Sequence, residues 1–285
     1  MADKPSPEWS TDEAVARSLL ATLGWADAPL SPLGVGWDNT LYRVDAPSGP
    51  HVLRLPHREV AVALLRNEQR WLRHLAPCLP LPVPTPLHAG SPTDSFPSPW
   101  SLLPWLDGAP ALTSPYAPRP LAEALATFLR ALHRPAPPDA PINPHRGQPL
   151  AVRRPRLVAA RDLLGDRVLD TFDAIAAGPG WEAPPVWVHG DTHPGNLLVH
   201  QGHLHAVIDW GDVCQGDPAS DLSTAWMLFD APDREHFFAV YGADDALVER
   251  ARGWALGIGG SLAASSDDTP VFQAMAWRTI ERAMR

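Results

Sequence analysis

The sequence has few cysteines, no long apolar segment and no excess of basic residues, and each shortage excludes a class of protein. Only two cysteines occur in 285 residues, and the wide separation of Cys78 and Cys214 predicts neither a disulfide framework nor a zinc site. No apolar run reaches the roughly 18 residues that a membrane-spanning helix needs. The net charge of −9 argues against nucleic acid and anionic membranes, which attract clustered Lys and Arg.

The balance of apolar and charged residues predicts a folded chain. Hydrophobic residues make up 45% of the sequence and charged residues 19%, as is typical of globular proteins. The length fits one or two domains of ordinary size. The first ten residues are polar and proline-rich without a signal-peptide core, so we expect a cytoplasmic location.

Two strand-like apolar runs each deliver a carboxylate at their end. Asp191 follows the first run, Asp209 follows the second, and Asn196 lies in the loop between them after a Pro-Gly break. Mg²⁺ prefers hard oxygen ligands and needs only one or two from the protein beside nucleotide phosphates, so Asn196 and Asp209 suffice. Asp191 is then free to orient a hydroxyl group and accept its proton, a contribution of about 10²–10⁴ in rate.

The first hundred residues predict an antiparallel β-meander and a long helix. The first turn carries Gly34 and Gly36, whose backbone N–H groups could cover nucleotide phosphates, although a plain hairpin turn has the same appearance. On the helix predicted at residues 60–75, Glu68 falls inside the apolar stripe. An unpaired buried charge costs about 3–5 kcal/mol. We therefore expect Glu68 to pair with Arg54 on the preceding strand, the alternative being that it reaches water at the edge of the stripe.

Helices are predicted at the start of the chain and through most of its second half. A helix at residues 11–23 follows a capping pattern formed by Ser10 and Glu13. From Pro120 onward the apolar period is helical almost throughout, with a helix start at Pro120 itself and one of the later helices at about residues 245–258. The proline-rich segment at residues 136–148 is predicted to be a variable surface loop.

The sequence around the two carboxylates resembles a known family. Residues 189–196, His-Gly-Asp-Thr-His-Pro-Gly-Asn, and residues 208–211, Ile-Asp-Trp-Gly, are similar to the catalytic and metal-binding motifs of the aminoglycoside phosphotransferase family, as is Gly-Asp-Pro-Ala-Ser-Asp-Leu at 216–222. The resemblance implies a two-lobed, protein-kinase-like α+β fold, with an antiparallel N-lobe sheet and a mainly helical C-lobe that carries a catalytic β-hairpin. We expect the nucleotide-binding lobe at residues 1–104 and the catalytic and substrate lobe at residues 105–285.

The resemblance also implies an activity. It is Mg²⁺-dependent transfer of the γ-phosphate of ATP or GTP to a hydroxyl of a small molecule, which would be aminoglycoside-like, macrolide-like or a metabolite. Arg54, positioned by Glu68, stands where many relatives have a phosphate-binding Lys, and Arg presents a planar fork rather than a compact charge. Backbone groups around Ser101 and Leu103 would bind the purine base of either nucleotide.

Two further residues are expected to support the catalytic loop. A His placed before Gly-Asp commonly braces its loop by hydrogen bonds, which is the role expected of His189. The resemblance implies that Asp221 holds the loop through backbone hydrogen bonds, a solvated helix residue being the alternative. Four nearby acidic residues predict either a pocket for a positively charged acceptor or a solvated acidic face. They are Asp212, Asp230, Asp233 and Glu235.

Two other functions compete with the kinase. The missing Lys and the loose glycine turn allow a nucleotide-binding pseudokinase or regulatory module, although Asp191, Asn196 and Asp209 are all in place. A metal-dependent hydrolase could use imidazole and carboxylate ligands, but the amide of Asn196 suits Mg²⁺ better than zinc. The candidate hydrolase ligands are His189, Asp191, His193, His203, His205 and Asp209.

Overall fold

The computed structural model describes residues 6–266 and 269–285 of the chain. The N-terminal part is built on five antiparallel strands, which are β1 (Leu30–Val35), β2 (Asn39–Ala46), β3 (Gly49–Pro56), β4 (His88–Gly90) and β5 (Trp100–Pro104). They form one sheet in the order β1-β2-β3-β5-β4. The meander expected from the change of period is therefore present, and β5 is inserted beside β3.

Helix α1 (Glu13–Ala21) packs on this sheet with a small core of its own. Its apolar face buries Leu19 and Leu20 in one cluster with sheet residues such as Leu53. The predicted cap at Ser10 is wrong, because Asp12 directly precedes the helix and its carboxylate accepts from the backbone N–H of Val15 at 3.0 Å. The Ser10 hydroxyl instead donates to Asp12 at 2.8 Å.

Helix α2 (Glu59–Leu75) connects the sheet to the larger core. Its predicted stripe is present, and Glu68 lies within it with no exposed surface. The C-terminal end of α2 packs into the core of the C-terminal part, where the Trp71 ring lies 4.9 Å from that of Trp187. The helix that carries Glu68 is thus fixed by contacts on both sides.

The C-terminal part is mainly helical. Its α-helices in the described residues are α3 (Pro118–Leu132), α4 (Arg154–Ala159), α5 (Arg161–Leu164), α6 (Asp166–Ala176), α7 (Ala219–Leu222), α8 (Thr224–Leu228), α9 (Ala231–Tyr241), α10 (Asp245–Ser265) and α11 (Pro270–Ala283). Short 3₁₀ turns occur at Ala76–Cys78, Leu150–Arg153 and Pro194–Asn196. In the part of the chain that the structure describes, no helix is both long and apolar enough to cross a membrane.

Short strands in the C-terminal part flank the segments that contain Asp191, Asn196 and Asp209. They are β6 (Ala109–Pro110), β7 (Val186–Val188), β8 (Leu197–His200), β9 (His203–Val207) and β10 (Cys214–Gly216). β8 and β9 form an antiparallel hairpin flanked by β6, and β7 pairs with β10. Together with the N-terminal sheet and the helical remainder, this hairpin confirms the predicted two-lobed α+β architecture.

Helix α10 owes its packing to a face of glycines. A Cβ atom added at any of three glycines spaced along this face would come within 3.0 Å of a side chain from the segment around the second 3₁₀ turn. The glycines are Gly253, Gly257 and Gly260, and the side chains they meet are, in order, Leu150, Arg153 and Leu157. The glycines lower the intrinsic helix propensity, yet close packing extends α10 to Ser265, beyond the predicted end near residue 258.

Candidate active site

The ring of His189 holds the loop after β7 by hydrogen bonds to backbone groups. The Nδ1 atom of this fully buried histidine accepts from the backbone N–H of Asp191 at 3.2 Å, so Nε2 carries the proton and donates to the Ile208 carbonyl at 3.0 Å. The next residue, Gly190, has φ = 86°, and an added Cβ would lie 2.6 Å from the Asp212 carbonyl oxygen. The geometry of His189 is that of a brace.

Asp221 on α7 binds the same loop from the other side. Its carboxylate accepts from the backbone N–H of His189 at 2.7 Å and from that of Gly190 at 2.8 Å. The hydroxyl of Thr192 donates to its main-chain carbonyl at 2.9 Å, and the ring of His133 lies 3.1 Å from the carboxylate. Because Asp221 is completely buried, the solvated alternative does not apply.

The carboxylate of Asp191 is surrounded by donors. Arg146 Nη2 lies 3.1 Å from Oδ1, while Oδ2 is 3.2 Å from Asn196 Nδ2 and 3.5 Å from His193 Nε2. Burial alone would raise the pKa of Asp191, but His193 and Arg146 outweigh it and hold the pKa well below its usual range. The carboxylate is therefore ionised and can accept a hydrogen bond at any physiological pH.

His193 completes this cluster and shares its charge. In the neutral ring, Nδ1 accepts from Gly195 N at 2.9 Å and the proton is on Nε2, facing Asp191. Burial lowers the pKa of His193, but the Asp191 carboxylate raises it by more, so that the net shift is upward from 6.5. The two residues thus stabilise each other's ionised forms.

Asn196 and Asp209 offer two oxygen donors of the kind that Mg²⁺ prefers. The Asn196 amide nitrogen donates to the main-chain oxygen of Asp191 at 2.9 Å, which assigns the side-chain oxygen to the opposite side. Asp209 has a left-handed backbone with φ = 63°, and 49% of its side chain is exposed. A carboxylate and an amide oxygen without thiolate or imidazole fit Mg²⁺.

One guanidinium group connects Asp209 to the N-terminal sheet. Arg54 donates to Glu68 Oε2 at 2.8 Å and to Asp209 Oδ1 at 2.9 Å, and Glu68 Oε2 also accepts from Trp210 N at 3.2 Å. Burial lowers the pKa of Arg54, but the two carboxylates raise it to a net value above its ordinary range. Burial raises the pKa of Glu68, and Arg54 opposes that shift. The expected ion pair is present, and Asp209 extends it to the end of the β8–β9 hairpin.

The alternative hydrolase ligands do not form one metal site in the described residues, although Asp191 and His193 are neighbours. Among residues 6–266 and 269–285, no three His, Cys, Asp or Glu side chains form a group that could hold a metal ion. His200 and His205 lie on the β8–β9 hairpin with ring centroids 5.6 Å apart, and His189 is committed to its bracing hydrogen bonds.

Gly34 and Gly36 lie at the exposed β1–β2 turn. Gly36 N donates to the Asn39 carbonyl at 2.8 Å, which closes the turn. An ion pair of 2.7 Å between Asp38 and Arg58 ties the turn to the start of α2. The turn is therefore held against the start of α2, and its two glycines are exposed.

Ser101 and Leu103 occupy different positions in β5. Ser101 pairs with Arg54 on β3 and with Ala89 on β4, and its side chain is buried. Leu103 pairs with β3, but the pairing with β4 ends at Leu102. One backbone edge at Leu103 is thus free of that neighbour, whereas Ser101 lies in the paired interior of the sheet.

Arg146 is a site residue that the sequence did not reveal. It lies in the segment predicted to be variable surface, yet it contacts Asp191 and also Asp212 at 3.4 Å. The Asn143 amide donates to Asp212 at 2.7 Å and fixes this arrangement. The segment lacks a regular hydrophobic period, so no sequence signal indicates that it contacts the loop that contains Asp191.

A cavity of about 140 Å³ opens beside Asp191. It is lined by arginines, serines and apolar side chains from the segment before α4, from α4 itself, and from α7, α8 and α10. The four acidic residues considered for a cationic pocket are not among its lining residues. Asp212 is bound to Arg146, Asp230 caps α9, and Asp233 pairs with Arg119 at 3.0 Å. The predicted acidic pocket is therefore absent from this described cavity.

Sequence comparison places the chain among known enzymes. The model of the family described as "Phosphotransferase enzyme family" matches residues 29–255. An aminoglycoside 3'-phosphotransferase of Salmonella typhimurium is 27% identical over 248 residues, covering 78% of this chain and 84% of that protein. Viomycin phosphotransferase of Streptomyces vinaceus is 29% identical over 185 residues, covering 59% of this chain and 64% of that protein.

Solved structures share the fold. The GDP complex of an aminoglycoside 2'-phosphotransferase-IIIa superposes with a TM-score of 0.73 at 18% identity, covering 96% of this chain and 99% of that one. A macrolide 2'-phosphotransferase apoenzyme from Brachybacterium faecium gives a TM-score of 0.64 at 23% identity, covering 93% and 97%. These similarities confirm the kinase-like fold expected from the motifs.

Proposed function

This chain belongs to the phosphotransferase enzyme family, and on that premise we propose that it transfers the γ-phosphoryl group of ATP or GTP, with Mg²⁺, to a hydroxyl group of a small molecule. Relatives named for aminoglycosides and viomycin support a small-molecule acceptor. The observation that carries the proposal is that Asp191 faces a cavity and lies 3.2 Å from Asn196, while Asp209 is joined to the N-terminal sheet through Arg54.

In the proposed reaction, Asp191 acts as the base. The acceptor hydroxyl hydrogen-bonds to the ionised carboxylate, and its oxygen forms a bond to the γ-phosphorus as the bond from that phosphorus to the nucleoside diphosphate breaks. The hydroxyl proton passes to Asp191 and then to solvent. A carboxylate whose pKa is lowered is a weak base, which suits a loose transition state in which the proton moves late. Arg146 and His193 hold the carboxylate in position.

The nucleotide side of the proposed site is formed by both lobes. Asn196 and Asp209 would hold Mg²⁺, which when bound supplies positive charge to the phosphate oxygens. Arg54 is assigned to a phosphate, with Glu68 fixing its orientation. Gly34 and Gly36 are assigned to cover the phosphates.

The purine base is assigned to the edge of β5. The proposal uses the free backbone edge near Leu103 rather than Ser101, because strands on both sides of Ser101 already pair with it. We also propose a lobe boundary between residues 104 and 105, directly after β5.

We further propose that the protein is located in the cytoplasm.

Variants of Asp191 test the reaction. Release of ADP or GDP is measured with Mg²⁺ and each nucleotide, alone and with a panel of hydroxyl compounds. Asp191→Asn is expected to lower acceptor-dependent turnover by about 10²–10⁴ while nucleotide binding remains. Asp230→Asn changes a helix cap away from the cavity and is the matched control. Unchanged turnover in Asp191→Asn would refute the assignment of the base.

The same measurements separate the kinase from the regulatory module. Nucleotide binding without turnover of any compound, or of the nucleotide itself, would favour the pseudokinase. Slow nucleotide hydrolysis that requires Mg²⁺ and intact Asp191 would favour the enzyme.

A further inference from the structure

The cavity beside Asp191 carries more positive charge than its surroundings neutralise. Three arginines line it, against one lining carboxylate, that of Asp191. They are Arg146, Arg153 and Arg156. Of the three, Arg146 forms ion pairs with Asp191 and Asp212, although its Nε has no hydrogen-bond partner among the described residues. The other two determine what the cavity can hold.

Arg153 is a buried cation without a carboxylate partner in the described chain. Only 2% of the surface of Arg153 is exposed. Its Nη2 donates to the Gly257 carbonyl at 3.2 Å and to the Ser261 hydroxyl at 3.0 Å. Its Nε is buried without any hydrogen-bond partner among the described residues. A buried charge normally requires both a counter-ion and satisfied donors, and Arg153 has neither in full.

Arg156 adds a second uncompensated charge at the same wall. It is exposed, and among residues 6–266 and 269–285 no carboxylate lies within ion-pair distance of it. Its neighbour in sequence, Arg154, points elsewhere and forms two hydrogen bonds with Asp173, at 2.8 and 2.9 Å. Neither Arg153 nor Arg156 therefore has a carboxylate partner in the described chain, although Arg153 donates to Gly257 and Ser261 and its guanidinium carbon lies 5.7 Å from the centroid of the Trp254 ring.

The remaining polar groups of the cavity act as acceptors. Each of four lining serines donates its hydroxyl hydrogen to a backbone carbonyl, so its oxygen can act as an acceptor, and that of Ser261 already accepts from Arg153. They are Ser220, Ser223, Ser261 and Ser265. A ligand that carries hydroxyl groups can donate to these oxygens, whereas its negatively charged group can meet the guanidinium donors.

We propose that the acceptor of the reaction is a hydroxylated anion, whose carboxylate or phosphate group binds Arg153 and Arg156 while one hydroxyl lies at Asp191. This inference rests on the proposed phosphoryl transfer. It replaces the expectation of a cationic acceptor, since ammonium groups would be repelled by two unpaired guanidinium groups. In the balanced step, the phosphorus–oxygen bond to the nucleoside diphosphate breaks, a phosphorus–oxygen bond to the acceptor forms, and the hydroxyl proton leaves through Asp191. The anionic group is unchanged.

Ligand binding without nucleotide tests the inference separately from the reaction. The unfolding temperature of the protein is measured with gluconate, glucose 6-phosphate, glucose and kanamycin, which provide a carboxylate, a phosphate, a neutral polyol and a cation. An upward shift with at least one anion, and a smaller one with glucose and kanamycin, is expected. A shift with gluconate alone assigns a carboxylate, and one with glucose 6-phosphate alone assigns a phosphate.

Arginine variants locate the binding. Arg156→Gln changes an exposed side chain without partners in the described chain, so the variant should fold normally. We expect it to weaken anion binding about tenfold or more, which is the effect of losing one charged hydrogen bond. Arg153→Met should do the same. Arg154→Gln removes a charge two positions from Arg156 and should leave anion binding unchanged. Equal anion binding in all three variants, or preferential binding of kanamycin, would overturn the inference.

Two controls test whether the arginines are neutralised by the chain itself and whether anion binding is linked to phosphoryl transfer. Asp267 and Asp268 lie outside the described residues, and the double variant D267N/D268N shows whether the chain's own carboxylates neutralise the arginines. Anion binding that occurs only in this variant would overturn the inference. Anion binding through Arg156 without any phosphoryl transfer would support the anion site and refute the proposed function. Phosphoryl transfer to neutral or cationic compounds alone would support the proposed function and refute the anion site.

Discussion

Arg54 shows how much one side chain can do in this protein. The chain contains a single lysine, Lys4, and the cation at this position is an arginine whose two terminal nitrogens serve two carboxylates. A lysine ammonium is a point charge on a flexible stem, whereas the planar fork of arginine can bridge two acceptors in fixed geometry. The arginine at this position can therefore hold Glu68 and Asp209 at the same time.

Removing the charge of Arg54 should destabilise the protein. Arg54→Met leaves Glu68 fully buried without its cation, so we expect a loss of about 3–5 kcal/mol in unfolding free energy at neutral pH. Arg154→Met breaks an ion pair whose partners are both exposed, and its effect should be much smaller. Urea denaturation of both variants and the wild type measures the difference. Similar losses in the two variants would contradict the prediction.

His193 should make stability depend on pH. Its pKa is raised above 6.5 in the folded protein, so the folded state binds the proton more tightly than the unfolded state. The stability that His193 contributes is fully present below pH 6.5 and is lost as the pH rises through the folded-state pKa. The advantage of the wild type over His193→Gln should therefore shrink as the pH rises above 6.5. Denaturation curves at several pH values measure it, and a constant difference would refute the prediction.

At the level of elements, the glycine face of α10 positions the segment that carries Arg153. Periodicity predicted α10 only to about residue 258, because glycine weakens a helical pattern. Close contact with Leu150, Arg153 and Leu157 compensates for that weakness. Local sequence contains the glycines but not the partner that they accommodate, and for this reason the arginine wall of the cavity could not be predicted.

Gly257→Ala should disturb the cavity through this contact. The added Cβ would lie 2.8 Å from Arg153 Cβ, so the arginine must move, and we expect weaker anion binding in the thermal-shift measurement. Gly259→Ala gains the same helix propensity, but its Cβ meets Ile280 and Ala276 on α11. Urea denaturation measures the stability of both variants, and anion binding should fall in Gly257→Ala only. Equal binding in both variants would show that the glycine face does not position Arg153.

For the whole molecule, the sequence predicted what periodicity and motif spacing determine. The meander, helix α2 and the inward position of Glu68 follow from hydrophobic period, and the two-lobed fold follows from the motifs. The bond from Arg54 to Asp209 joins residues 155 positions apart. The contacts of Arg146 depend on the path of an irregular loop. Neither distance along the chain nor loop path is encoded in a local pattern, so these contacts required the structure.

Nucleotide binding should stabilise the folded protein as a unit. At about 100 times its dissociation constant, a ligand that binds only the folded state adds about 2.7 kcal/mol to the unfolding free energy. We expect this gain from Mg²⁺ with ATP or GTP. Asp209→Asn should lose the part of the gain that depends on Mg²⁺. Denaturation with each nucleotide, with and without Mg²⁺, measures both effects. A gain that is independent of Mg²⁺ in the wild type would contradict the assignment of Asp209.

The contact between Trp71 on α2 and Trp187 on β7 has a practical consequence. The two indole rings lie 4.9 Å apart and tilted by 57°, close enough for their electronic transitions to couple. Near-ultraviolet circular dichroism should contain a signal from this pair, which disappears if α2 moves away from β7. The protein thus carries an unlabelled optical probe of the position of the helix that bears Glu68.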